Sequence, residues 1–370
     1  MSIKIIILLF FFINLQSKSL SKINNINIEE ITINSSTKII VISGFKTSYG
    51  VDIDKNGYVY IPDFKQGVLY KINLETKNST ILFLEKDNYF KFIEYKNINS
   101  FKSNLNQPHD IYIDHNNNLY ITEMGYGLGK KGGQILKISN KKGKASFVGR
   151  ELYNNQGLDG PTVSFVDKEN FIYVAEWRAH RILKFYGNNY ETHKIFGKYL
   201  NENLELEEFK FNYPHSIRIG PDDNYYVADT GNNRIVKFDK DENYIGWIGK
   251  RSDGSINNNW SKTGNSIKGE ELGAFNEPLD IEFFKDNFYV TDIKNNRILK
   301  IDILGKSVGQ LGGGNKKGDS LVWLDNENQK SSNLILDLNQ PYGLRIKNGM
   351  ILIADRGNNK IKIIKSNLLD

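Results

Sequence analysis

A unit recurs six times along this 370-residue chain, and no other feature restricts the possible folds as sharply. Its opening tetrapeptides are Ser48-Tyr49-Gly50-Val51, Pro108-His109-Asp110-Ile111, Pro161-Thr162-Val163-Ser164, Pro214-His215-Ser216-Ile217, Pro278-Leu279-Asp280-Ile281 and Pro341-Tyr342-Gly343-Leu344. Each leads into a short alternating strand, a polar turn and a second strand ending in an acid: Asp63, Glu123, Glu176, Asp229, Asp292 and Asp355. From the second residue of the tetrapeptide to the acid the separation is 14, 14, 14, 14, 13 and 13, whereas successive acids lie 60, 53, 53, 63 and 63 apart. A unit of fixed length is thus joined by connections of variable length. A Gly/Asn turn and a further strand follow the acid, most clearly from Asp229 to Phe238, from Asp292 to Ile301 and from Asp355 to Ile364.

Period-two alternation, β-branched and aromatic residues and closely spaced turn residues specify antiparallel strands. Three or four strands per unit, six times over, predict an all-β six-bladed β-propeller. The last unit stops one outer strand short, while Thr37 to Ile42 form an apolar strand ahead of the first unit. Adding that strand to the last blade closes the ring and removes an exposed edge. The expected organisation is a signal peptide over 1–19, a linker over 20–36 and the propeller over 37–370.

The leading segment has Lys4 as its positive start, Ile5 to Phe12 as an apolar run and Ser17-Lys18-Ser19 as small residues at a cleavage point. That run is short for a membrane span. The expected location is secreted or periplasmic, or membrane-anchored if the segment is retained. Removing residues 1–19 takes away Lys4 and Lys18 and no acid, so the net charge falls from +6 to +4. So mild a balance gives no electrostatic footprint for nucleic acid. The chain has no cysteine, which excludes disulfides, cysteine-ligated zinc modules, iron–sulfur clusters and a cysteine nucleophile.

In a propeller the loop entering each inner strand shares a face with the loop leaving the second strand. The second column of the repeat should therefore ring one channel mouth: Tyr49, His109, Thr162, His215, Leu279 and Tyr342. Beside it fall Asp110 and Asp280, and the loops after the acids add Trp177, Arg178, Lys65, Lys294 and Arg356. Convergent aromatic, polar and cationic groups define a candidate ligand site of Tyr49, His109, Asp110, Arg178, His215, Asp280, Tyr342 and Arg356. His109 and His215, two blades apart, are candidate ligands for zinc or another divalent metal, with water, Asp110 or Tyr342 completing the shell. The acid recurs in every blade, which marks it as a turn cap and not a catalytic group.

Three motif matches carry no chemistry. Gly127-Leu128-Gly129-Lys130-Lys131-Gly132 precedes a strand and so lacks a helix N-terminus for phosphate. Gly305-Lys306-Ser307-Val308-Gly309 sits in an outer hairpin. Asp52-Ile53-Asp54-Lys55-Asn56-Gly57 imitates a calcium loop at what is a recurrent hairpin turn. Asn34, Asn78 and Asn259 begin glycosylation sequons. The long stretches 85–104, 250–273 and 312–338 carry Tyr89, Phe90, Phe92, Tyr95, Trp260 and Leu321 to Leu324, and are expected to pack onto the mouth as rims or a lid.

The segments Pro214-His215-Ser216-Ile217 and Val227-Ala228-Asp229-Thr230-Gly231-Asn232-Asn233-Arg234-Ile235 resemble the NHL repeat. That resemblance implies a six-bladed NHL propeller, a fold shared by binding proteins and enzymes. The run Pro108-His109-Asp110-Ile111-Tyr112-Ile113-Asp114 with Pro161-Thr162 and Pro214-His215-Ser216-Ile217 is also similar to peptidyl-α-hydroxyglycine α-amidating lyase. The similarity implies a zinc ion held by three histidines on alternate blades, with a tyrosine and an arginine as catalytic partners. His109 and His215 match two of those ligands and Tyr342 stands at the third. Trp177 and Arg178 occupy the place of the family's tyrosine, no arginine lies near Asp63, and its disulfides are absent. Two functions stay open: a non-catalytic module binding a peptide, glycan, small molecule or protein, and a metal-dependent lyase. RNA binding or ubiquitin transfer conflicts with the leading segment and the missing cysteines.

Overall fold

The computed structural model describes residues 26–34, 37–85, 88–94, 105–125, 132–139, 144–150, 152, 157–186, 192–196, 210–312 and 336–365. Six antiparallel sheets form six blades. Blade 1 comprises Asp52–Ile53, Tyr58–Asp63, Val68–Asn73, Ser79–Leu84 and Phe90–Ile93. Blade 2 comprises Pro108–Ile113, Leu119–Glu123, Gln134–Ile138 and Ala145–Val148, and blade 3 Pro161–Val166, Ile172–Glu176, Arg181–Tyr186 and Thr192–Phe196. Blade 4 comprises Pro214–Ile219, Tyr225–Asp229, Arg234–Phe238, Tyr244–Arg251 and Ile256–Ser261, with Ser266–Ile267 also pairing to Tyr244–Arg251. Blade 5 comprises Pro278–Phe284, Asn287–Asp292, Arg297–Asp302 and Ser307–Gly312.

Blade 6 takes Pro341–Lys347, Met350–Asp355 and Lys360–Lys365 from one end of the chain and Thr37–Ser43 from the other. Ile39 opposes Ile364 and Ile40 opposes Ile363, so the ring closes through an apolar seam as the sequence requires. Asn27–Asn34, expected within a linker, is instead a fifth strand paired along Thr37–Ser43, with Ile31 opposite Ile39. The leading segment expected as a signal peptide lies outside the described residues.

The apolar core lies between blades. Trp247 and Phe211 of blade 4 pack with Tyr173, Ala175 and Ile182 of blade 3, and Tyr226 and Ile235 of blade 4 with Phe288 and Leu299 of blade 5. The described parts of the first two long stretches, Phe90–Ile93 and Ile256–Ser261, thicken blades 1 and 4. Phe92 of Phe90–Ile93 stands edge-on to Tyr60 at 6.0 Å. Trp260 packs edge-on to Tyr226 and donates its indole N–H to the Ile303 carbonyl at 3.0 Å. The reason is edge pairing: both segments alternate well enough to continue a sheet and bury its free backbone groups. Tyr95, Leu321 to Leu324 and most of the glycine-rich run at 127–132 lie outside the described residues.

The acid column is the fastener of each blade. Every one of the six acids is buried and accepts a backbone N–H from the loop entering its own inner strand: Lys46 at 2.6 Å for Asp63, Asn106 at 2.6 Å for Glu123, and Asp159, Asn212, Asn276 and Asn339 at 2.7 Å for the other four. In blade 4 the second oxygen of Asp229 also holds Asn232 Nδ2 at 2.9 Å and Arg234 Nε at 2.7 Å. Between them Thr230–Asn232 makes one 3₁₀ turn that ends on Asn233 in the left-handed region, φ 53°. Asparagine tolerates that conformation, which explains the Gly/Asn composition of the turn. The imitation calcium loop is equally occupied: Asp54 caps its own turn by accepting from the Asn56 and Tyr58 amides and from the Tyr60 hydroxyl.

Candidate functional site

The second column of the repeat is aimed at the axis by a bulge. In blades 2 to 6 the pairing of the inner strand shifts register just after its proline. The residue before the proline is left-handed in each: Gln107, Gly160, Tyr213, Glu277 and Gln340 have φ between 51° and 64°. Such a bulge re-aims one side chain without ending the ladder. Glycine in the next column of blades 1 and 6 permits close approach of the inner strands. A Cβ on Gly50 would fall 2.2 Å from Asp110 Oδ1, and one on Gly343 would fall 2.5 Å from the Tyr49 carbonyl oxygen.

Tyr49, His109, His215 and Tyr342 meet at one opening, packed so closely that no whole water molecule fits between their rings. The Tyr49 ring stacks on His109 at 4.6 Å and 12°, and Tyr342 stands edge-on to both imidazoles. Tyr342 Oη lies 2.8 Å from His215 Nε2 and 3.3 Å from His109 Nε2. His109 Nδ1 lies 2.8 Å from the Thr162 carbonyl, which can only accept, so Nδ1 carries the proton and Nε2 presents its lone pair. His215 Nδ1 lies towards the Leu279 backbone without a well-formed hydrogen bond. A belt of blade-to-blade bonds supports the ring: Thr162 Oγ1 donates to the His215 carbonyl and Thr291 Oγ1 to the Tyr342 carbonyl, both at 2.8 Å.

Burial governs the protonation of this cluster. It lowers His109 to about 4 and, with His109 adding to the effect, His215 to about 3. It also pushes the Tyr342 phenol up. At neutral pH the three groups are therefore uncharged, and neither imidazole is poised as a strong base. The candidate carboxylates Asp110 and Asp280 also line the mouth, and arginines hold both. Asp110 accepts Arg345 Nη2 at 2.8 Å, and Asp280 accepts Arg345 Nη1 at 2.7 Å and Arg218 Nη2 at 3.0 Å. Burial raises Asp110, whereas Arg218 and Arg345 outweigh burial and hold Asp280 low. With Asp52 and Lys347, joined at 2.7 Å, these residues form a buried charge network along the axis beneath the mouth. The sequence carried a signal for it that column reading missed: Asp52, Arg218, Glu282, Arg345 and Lys347 are charges set into otherwise apolar inner strands.

Of the two candidate arginines, the structure brings one to the mouth. Arg356 lies over the Tyr49 ring at 5.0 Å and near the Tyr342 ring at 5.9 Å, its Nη1 donating to Gln340 Oε1 at 2.6 Å. Among the described residues it has no carboxylate partner, and its Nε has no hydrogen-bond acceptor. Arg178 is exposed at the rim, 3.9 Å from Asp159, and does not line the cluster. His115 and His180 lie outside it as well.

Fold and mouth together define a six-bladed β-propeller with a histidine- and tyrosine-lined opening, and residues 211–238 match the NHL repeat. The chain is similar to the probable peptidyl-α-hydroxyglycine α-amidating lyase of Caenorhabditis elegans, 23% identical over 237 residues covering 59% of each chain. It is also similar to NHL repeat-containing protein 3 of Homo sapiens, 23% identical over 55% of this chain and 60% of that one. The chain thus spans about three fifths of the length of these relatives. Among solved structures, virginiamycin B lyase from Staphylococcus aureus shares the fold, with a TM-score of 0.53 at 16% identity over 89% of this chain and 99% of that one.

Proposed function

We propose that this propeller is an exported binding module whose mouth takes a small ligand bearing a carboxylate. The observation that carries the reading is Arg356: a half-buried guanidinium laid over two tyrosine rings, beside two neutral imidazoles, with no acid to balance it among the described residues. A desolvated guanidinium favours a planar oxyanion that can take two of its N–H groups. Tyr49 and Tyr342 supply flat contact area, and the phenol of Tyr342 supplies a polar handle. Export rests on the apolar segment at 5–12. Titration with acetate, succinate and a short free-carboxylate peptide should show saturable binding that Arg356→Gln weakens at least tenfold. Equal affinity in the variant refutes the reading.

A second reading, a metal centre of the lyase type, is favoured by the fixed tautomer of His109. A carbonyl on Nδ1 and a free lone pair on Nε2 is the arrangement in which imidazoles ligate metals. The donor set fits in part: His109 Nε2, His215 Nε2 and Tyr342 Oη converge, while Asp110 and Asp280 are held by arginines. Zinc there would act as a Lewis acid on a bound oxygen. Elemental analysis of the purified protein beside a His109→Ala, His215→Ala double variant decides between the readings. A stoichiometric metal lost in the variant favours the lyase; no metal in the parent refutes it.

A further inference from the structure

A cleft of about 500 Å³, open to solvent, lies on the rim of blade 4, on the face where Asp229 joins the incoming and outgoing loops. It is lined by Lys210, Arg234, Trp247 and Lys262 and by the loop through Gly264 and Asn265, and among the described residues no acid contributes to its wall. Arg234 is neutralised by Asp229 at 2.7 Å, and its Nη2 donates to the Lys210 carbonyl. Lys210 and Lys262 have no carboxylate partner among the described residues. Trp247 is fully buried in its wall, and its indole Nε1–H has no acceptor among the described residues. A buried donor left unmade costs free energy that a bound acceptor would recover. Arg251 lies 5.5 Å from that indole, and its Nη1 donates to the Thr263 carbonyl, which fixes the loop. Gly264, at φ 88°, completes the wall without a side chain: a Cβ there would meet Arg251 Nη1 at 2.8 Å and Trp247 Cζ2 at 3.9 Å.

We propose that this cleft is a second binding site, separate from the channel mouth, for an oxyanion-bearing ligand. The charged groups among its described lining residues are all cations, which favours a ligand that is an acceptor with negative charge: phosphate, sulfate or carboxylate. The two lysines supply the charge, and Trp247 forms part of the wall.

Protein labelled with ¹⁵N at tryptophan gives one indole resonance for each of its four tryptophans. Trp247 is assigned with Trp247→Phe or, should that variant not fold, by elimination with Trp177→Phe, Trp260→Phe and Trp323→Phe. Titration with inorganic phosphate, with sulfate and acetate as parallel arms, should move the Trp247 N–H downfield with saturation. A response to one anion alone supports the site and names its oxyanion. The apparent affinity should fall at least tenfold in the Lys210→Glu, Lys262→Glu double variant and stay unchanged in Arg356→Gln, which separates this site from the mouth. A stationary Trp247 resonance with all three anions overturns the proposal, as does an identical response in the lysine variant.

Discussion

Acidification should weaken this fold through the mouth histidines, and His215 gives the cleanest test. Its folded value, about 3, lies below the ordinary 6.5 of the unfolded chain. The unfolded state therefore binds a proton that the folded state refuses, and the stability that depends on neutral His215 is fully present above pH 6.5. It is lost as pH falls below 6.5 and levels off near pH 3. At pH 5.0 the linkage amounts to about 2 kcal/mol for this one residue, against less than about 0.1 kcal/mol at pH 7.5. Urea unfolding of the parent and of His215→Asn at both pH values isolates the effect of His215 together with its coupling to His109 and Asp280, because the carboxylates away from the mouth contribute alike to both proteins. Between pH 7.5 and 5.0 the parent should lose about 2 kcal/mol more than the variant. Equal losses would mean that His215 titrates like a solvated imidazole, and the buried Tyr342–histidine cluster would have to be abandoned.

Three further outcomes follow from the same geometry. Asp229→Ala removes the acceptor of Asn212, Asn232 and Arg234, and should cost about 3–5 kcal/mol in denaturant unfolding; a loss below about 1 kcal/mol would contradict its role as the fastener of blade 4. Arg345→Leu strips Asp110 and Asp280 of their shared cation. It should destabilise by about 3–5 kcal/mol at pH 7 and by less near pH 4, where the stranded carboxylates take up protons in the fold; a deficit that does not shrink on acidification argues against an axial charge network. Gly343→Ala drives a Cβ to 2.5 Å from the Tyr49 carbonyl oxygen, so circular dichroism melts should show a clear drop in Tm; an unchanged Tm would mean that the inner strands of blades 1 and 6 have slack.

The blade count, the closing strand and the four residues of the mouth were legible because they sit at fixed offsets within the repeat, where register alone dictates the side-chain direction. The bulge after each proline preserves that direction from blade to blade. The fate of Asp110 and Asp280 was not legible. Both share a column with glycine and serine, and whether they face a ligand or Arg345 depends on what the opposite side of the ring contributes, from residues 235 and 65 positions away. Asn27–Asn34 and Phe90–Ile93 were missed for a related reason. They lie outside the repeat, and only the presence of an unpaired neighbouring edge makes a strand of them. Arg356 and Arg178 follow acids at equivalent offsets, and sequence alone could not say that Arg356 turns inward over Tyr49 while Arg178 stays in solvent.

Blade 6 is sewn from residues 27–43 and 341–365, which sets a timetable for biosynthesis. The early-made Ile39, Ile40 and Ile42 lack their inner partner strand until Lys360–Lys365 leaves the ribosome. That is a wait of roughly 15–60 s at about 5–20 residues per second. Throughout it a sticky hydrophobic ribbon hangs free. Its outer neighbour Asn27–Asn34 can fold back on it as a provisional hairpin, shielding one side and leaving the other for the clasp that locks the wheel.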